Sequence, residues 1–178
     1  MLARMVSAGV HIVYETSQAA VATWRHATVL AFRERISVEA IEACVSAANR
    51  LALETQCCVL SIVGERVQVP DIEAMRSATA MLQDTSAVCR ARVVLGTGLR
   101  ASAIRGAVGF TTIQEATVWL AHTMNKDATW RQQLTTMAGT LLYGSPSFSR
   151  RSQIAPYLAG EDVSRCDTPP DPASKPRR

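Results

Sequence analysis

The stretch that most constrains this chain is Cys57 to Val63, Cys-Cys-Val-Leu-Ser-Ile-Val. It is apolar but for Ser61, rich in β-branched residues, and too short for a helix of about 10–12 residues. A half-buried strand would alternate with polar residues; a continuous apolar run is the pattern of a strand covered on both faces. Cys57–Val63 is therefore read as the central strand of a sheet, and the rest of the chain has to supply its neighbours and its cover.

The segments before it supply strands and one helix. Val10, Ile12 and Tyr14 alternate with polar neighbours, and Ala19–Trp24 and Thr28–Arg33 follow as two more strands, an antiparallel opening. Ser37 is a good N-cap, and Val38, Ile41, Val45, Ala48 and Ala52 fall at spacings of three and four, which predicts a helix over Val38–Thr55.

After the central strand, Gly64–Pro70 reads as a loop, and Asp71 caps a second helix with Ile72, Met75, Ala78, Thr79 and Leu82 on its inward face. Arg90–Gly96 is read as an apolar strand, Gly98 as a turn, and Ala103, Ile104 and Ala107 as the face of a short helix. Two strand–helix alternations in succession imply parallel, right-handed crossovers.

A second short strand around Phe110 leads to Thr112-Ile113-Gln114-Glu115, a capping box ahead of a helix buried through Ala116, Trp119, Leu120 and Met124. Asn125–Asp127 interrupts it. Trp130, Leu134, Met137 and Leu141 then recur at heptad-like spacing, which serves either packing on the chain's own sheet or a homodimer seam through the Trp130–Leu141 helix.

The expected fold is α/β. It has a mixed β-sheet with antiparallel N-terminal strands and parallel βαβ units, helices packed mainly on one face, and a C-terminal helical extension. In domain terms this is a flexible leader over 1–9, with Met5 a candidate start; an α/β domain over 10–124; an amphipathic helix over 125–143; and a largely disordered tail over 144–178. That tail holds Pro169, Pro170, Pro172 and Pro176 and almost nothing apolar at its end. Ser149 and Ser152 beside Arg150 and Arg151 would be its phosphorylation candidates.

Composition limits function more than it defines it. With 48% hydrophobic and 19% charged residues over 178 positions, the chain suits one globular domain. No apolar run approaches the roughly 18–20 residues of a membrane span, and no secretory leader is visible, so a cytoplasmic location is expected. The net charge is +4, but the basic residues are scattered arginines apart from Lys126 and Lys175, with no basic stripe, so nucleic acid is not an expected partner.

Chemistry-bearing patterns are sparse. Cys44, Cys57, Cys58, Cys89 and Cys166 show no metal-ligand spacing, and their odd number argues for reduced thiols. An enzyme would have to use Cys57 or Cys58, for which the role of small buried hydrophobe suffices. His11, His26 and His122 have no ligand-spaced companions, and no nucleophile elbow is present. No catalytic residue, metal site or cofactor is assigned. Gly96-Thr97-Gly98 begins like a dinucleotide loop, but Ala101 stands where the next glycine belongs. What remains there is a candidate anion site at Thr97, Gly98, Arg100 and Arg105, on a strand-to-helix turn.

The order strands, helix, buried strand, helix, strand, helix, short strand and Trp-Leu helix resembles the STAS superfamily, the fold of sulfate-transporter cytoplasmic domains and anti-sigma-factor antagonists. It is especially similar to the divergent branch grouped with Sec14-like lipid-binding domains, whose ending Phe, Glu-Ala, Trp-Leu is matched here by Phe110, Glu115, Ala116, Trp119 and Leu120. The resemblance covers about Val10–Met124. It implies a non-enzymatic regulatory domain that binds a protein partner in cytosolic signalling, or alternatively a carrier of a lipid or small hydrophobic ligand.

In signalling members a phosphorylatable hydroxyl sits at the start of the second helix. Here that place holds Pro70-Asp71, and Ser77 and Thr79 lie further inside the helix, where a phosphate gains less from the terminus. The corresponding partner surface is Glu65, Arg66, Pro70, Asp71 and Arg76.

Overall fold

Strand direction changes twice at the start of the chain and then stays constant, and this organises the molecule. In a computed structural model describing residues 9–67, 79–96 and 109–144, β1 (Val10–Glu15), β2 (Ala19–Trp24) and β3 (Ala27–Phe32) pair antiparallel. The β2–β3 turn is only Arg25-His26, and Arg25 takes the left-handed conformation (φ 49°) that two-residue hairpins favour. After α1 (Val38–Glu54), strands β4 (Cys58–Val63), β5 (Cys89–Val94) and β6 (Gly109–Phe110) add in parallel. The six strands lie in sequence order, β1 to β6, followed by α2 (Ile113–Thr123) and α3 (Ala128–Tyr143).

The α/β class, the mixed sheet, the antiparallel opening and the central β4 agree with the sequence reading. All six residues of β4 are buried. Strand and helix ends move by a residue or so: the third strand begins at Ala27 and ends at Phe32, β5 runs Cys89–Val94 where Arg90–Gly96 was expected, and Thr55 is the C-cap of α1. Residues 79–83 are helical. The Asp71 cap, the Ala103–Ala107 helix, the leader apart from Gly9 and the tail apart from Gly144 lie outside the described residues.

One expectation is corrected: the helices are not mainly on one face. Alternate residues of the strands point to opposite sides, and each side has its own helical cover. Val21, Leu30 and Val59 meet Ile41, Cys44 and Ala48 of α1, with Leu82 from the 79–83 helix in the same core. On the other side Trp24, Leu60, Ile62 and Val93 meet Leu120 of α2 and Trp130, Leu134, Met137 and Leu141 of α3. A strand buried on both faces leaves no other solution, because its second row of apolar side chains would otherwise face water at about 1.5–3 kcal/mol for each large residue.

The expected C-terminal helix is present as α3, and it packs into this core. Trp130 stacks on Trp24 with ring centroids 6.0 Å apart, and Thr117 of α2 bonds Thr135 of α3 through their hydroxyls at 2.8 Å. The apolar stripe that also suited a homodimer seam is occupied by the chain's own sheet, so a dimer through α3 would have to use its polar side.

Candidate functional site

The carboxyl ends of β3, β4, β5 and β6 point the same way, since the four strands are mutually parallel. In open α/β sheets this is the end where loops gather and ligands bind. The N-terminus of α1 follows β3 here, and that of α2 follows β6. The C-terminus of α3 arrives as well: Arg33, just beyond β3, donates from Nε to the Leu141 carbonyl at 2.8 Å and from a terminal nitrogen to the Thr16 carbonyl at 2.7 Å. Its second terminal nitrogen meets Glu15 at 3.2 Å.

Glu65 and Arg66 are brought to this end by a tight turn out of β4. The Gly64 amide donates to the Phe32 carbonyl at 2.9 Å, and the Val67 amide closes the turn onto the Gly64 carbonyl at 3.1 Å. A Cβ at Gly64 would come within 2.9 Å of the Phe32 oxygen and 3.2 Å of a Leu142 methyl, so only glycine fits without movement. Both charged side chains are exposed while Val67 is buried beneath them.

Next to this turn, β5 ends. The Leu95 amide bonds the Val63 carbonyl at 2.9 Å, and the exposed Gly96 has φ 109°, a conformation that favours glycine. The turn that carries Glu65 and Arg66 and the exit from β5 are thus neighbours at one sheet end. Of the residues singled out in the sequence, Pro70, Asp71, Arg76, Thr97, Gly98, Arg100 and Arg105 lie outside the described residues. Glu34 and Arg35, which follow Arg33 and are exposed, join Glu65 and Arg66 there to give a surface of mixed sign.

Two arginines of β5 escaped sequence reasoning, which treated the strand as apolar. Arg90 donates from Nε to the Thr85 hydroxyl at 2.8 Å and also reaches the Thr85 carbonyl. Arg92, the register partner of Ser61, donates to the Thr79 hydroxyl at 3.2 Å, and burial holds its guanidinium below the ordinary arginine range. The signal was the alternation Cys89-Arg90-Ala91-Arg92-Val93, which sends one row into the α2–α3 core and the arginines to the α1 side.

Cys44, Cys57 and Cys58 are poorly suited to attack an external substrate. Cys57 and Cys58 are fully buried. Desolvation, the largest cause, raises the Cys57 thiol, and a hydrogen bond to Cys89 followed by burial raises that of Cys58. Burial pushes Cys44 up to about 12. Of the histidines, His11 and His122 are exposed and His26 Nδ1 pairs with the Thr55 hydroxyl at 2.9 Å. Among the described residues no cluster of His, Cys, Asp or Glu is arranged to hold a metal ion, and no helix is long and apolar enough to cross a membrane.

Comparison with known proteins returned no matching family model, no matching curated protein and no matching solved structure.

Proposed function

We propose that the chain is a non-enzymatic, STAS-like interaction domain that binds a protein partner at the carboxyl end of its parallel strands. The observation that carries this reading is the adjacency of the Glu65-Arg66 turn and the β5 exit: the two loops singled out independently in the sequence leave neighbouring strands at the same sheet end. Exposed Glu34, Arg35, Glu65 and Arg66 alternate in sign. Such a pattern suits a protein surface of complementary charge better than a polyphosphate backbone, which calls for uniformly positive ground. The buried, raised Cys57 and Cys58 thiols favour the non-enzymatic form of the reading over a thiol enzyme. The lipid-carrier alternative has no comparable support, because Trp24, Trp130, Leu134 and Leu141 occupy the layer between the sheet and α3.

The test is site-specific photocrosslinking in the source cell with the probe at Glu65 or Arg66, and at Gln132 on the exposed side of α3 as a control. The expected result is a discrete adduct from the first two positions only, weakened by Glu34→Lys or Arg35→Glu. Equal labelling from all three positions, or none from Glu65 and Arg66, overturns the proposal.

A further inference from the structure

At the opposite end of the same two strands, Cys58 and Cys89 are register partners, each the first residue of its strand. Both belong to the core shared with α2 and α3. Adjacent strands lie about 4.7–4.9 Å apart, inside the Cα separation of about 4.4–6.8 Å that a disulfide spans. The neighbouring Cys58 thiol, the largest influence, and the Arg90 charge draw Cys89 below the ordinary thiol range against the opposing effect of burial.

The neighbouring cysteines are held elsewhere. Cys57 lies in the core on the α1 side, where its Sγ donates to the Ala48 carbonyl at 3.5 Å, and Cys44 sits on α1 in that same core. Cys89 is the less deeply placed of the two, 6% exposed against 0% for Cys58, and follows Val88, which is 56% exposed at the mouth of the strand.

We propose that Cys58 and Cys89 are a dithiol oxidation site, closed to an intramolecular disulfide by hydrogen peroxide and reopened by thiols. Cys89 reacts first: its thiolate sulfur attacks a peroxide oxygen, the S–O bond forms as the O–O bond breaks, and the hydroxide released takes up the proton that Cys89 gave up. The Cys58 sulfur then attacks the Cys89 sulfenic sulfur. The S–S bond forms, the S–O bond breaks, and the departing hydroxyl leaves as water with the Cys58 proton. Two thiols are oxidised by two electrons in total, and one peroxide is reduced to two waters.

The experiment exposes the reduced, folded full chain to hydrogen peroxide, removes the oxidant, blocks remaining thiols with a maleimide in denaturant and maps the peptides by mass spectrometry. The expected result is that maleimide incorporation falls from five cysteines to three, with a Cys58–Cys89 linked peptide that dithiothreitol abolishes. Cys57→Ala retains that link, and Cys58→Ala replaces it with a sulfenic acid at Cys89 captured by dimedone. A Cys57–Cys89 link, a disulfide between chains, or five alkylated thiols after exposure overturns the proposal. Where Cys58→Ala fails to fold, the wild-type and Cys57→Ala maps decide it alone.

Discussion

Arg33 and Leu141, 108 residues apart in sequence, are joined by a 2.8 Å hydrogen bond from the guanidinium Nε to the carbonyl in the last turn of α3. The last carbonyls of a helix have no intrahelical donor, and here a side chain at the end of β3 supplies one while also holding the β1–β2 turn through Thr16. Arg33→Gln is expected to destabilise the protein by about 1–3 kcal/mol, the range for losing hydrogen bonds made by a charged group. Glu15→Gln removes only the partly exposed ion pair and should cost under about 1 kcal/mol. Urea unfolding of both variants checks the order; equal effects would mean that the ion pair, not the carbonyl bonds, holds this corner.

The stacked Trp24 and Trp130 join α3 to β2. Trp130→Ala should lower stability by about 3–5 kcal/mol. Trp130→Phe should cost less than the volume change alone suggests, because the Trp130 indole N–H is buried without a partner and phenylalanine removes it. Since the stripe packs on its own chain, the loss should not depend on protein concentration; a strong dependence in thermal melts would point instead to a subunit contact.

Glycines 64 and 139 are expected to respond to alanine with opposite signs. At Gly64 the new methyl meets the Phe32 carbonyl, a backbone atom that cannot swing away, and destabilisation of about 1–3 kcal/mol should follow. Gly139 lies within α3 with nothing within 4 Å of an added Cβ. Alanine there should raise stability by about 0.5–1 kcal/mol through helix propensity. Paired denaturation curves test the contrast, and a destabilising Gly139→Ala would refute it.

The parts of this fold that were legible in the sequence are those with a local physical signature. The Ser37 cap, the Thr112–Glu115 capping box and the unbroken apolar run of β4 each declare themselves within a few residues. The distribution of helices between the two faces does not, because it depends on which way each connection passes over the sheet. Even so, the doubly buried β4 already demanded cover on both sides, and a one-sided arrangement was inconsistent with it. The site was legible only in part. Glu65 and Arg66 stand out as charges in a turn, whereas the grouping of Glu34, Arg35 and the Leu141 end of α3 beside them is tertiary. Arg90 and Arg92 were hidden by reading their strand for its apolar residues alone.

Acid sensitivity should arise in part from the first turns of α1 and α2. The Ser37 hydroxyl, Glu39's own backbone amide and the charge of Arg35 hold the Glu39 carboxyl below its ordinary value. Glu115 is lowered first by the Thr111 hydroxyl, with further bonds from the Thr111 and Thr112 amides. Both groups favour the charged form in the folded state. Their contribution is therefore complete above the unfolded carboxylate range and is lost as pH falls through the depressed folded values. Glu39→Gln with Glu115→Gln should flatten the acid limb of the stability–pH curve below about pH 5 while leaving its shape near neutrality unchanged. Thr112→Ala should cost about 0.5–2 kcal/mol at neutral pH by removing the cap on the Glu115 amide. Urea titrations across the acid range test both, and an unaltered acid limb in the double glutamine variant would show that these carboxylates are not linked to folding.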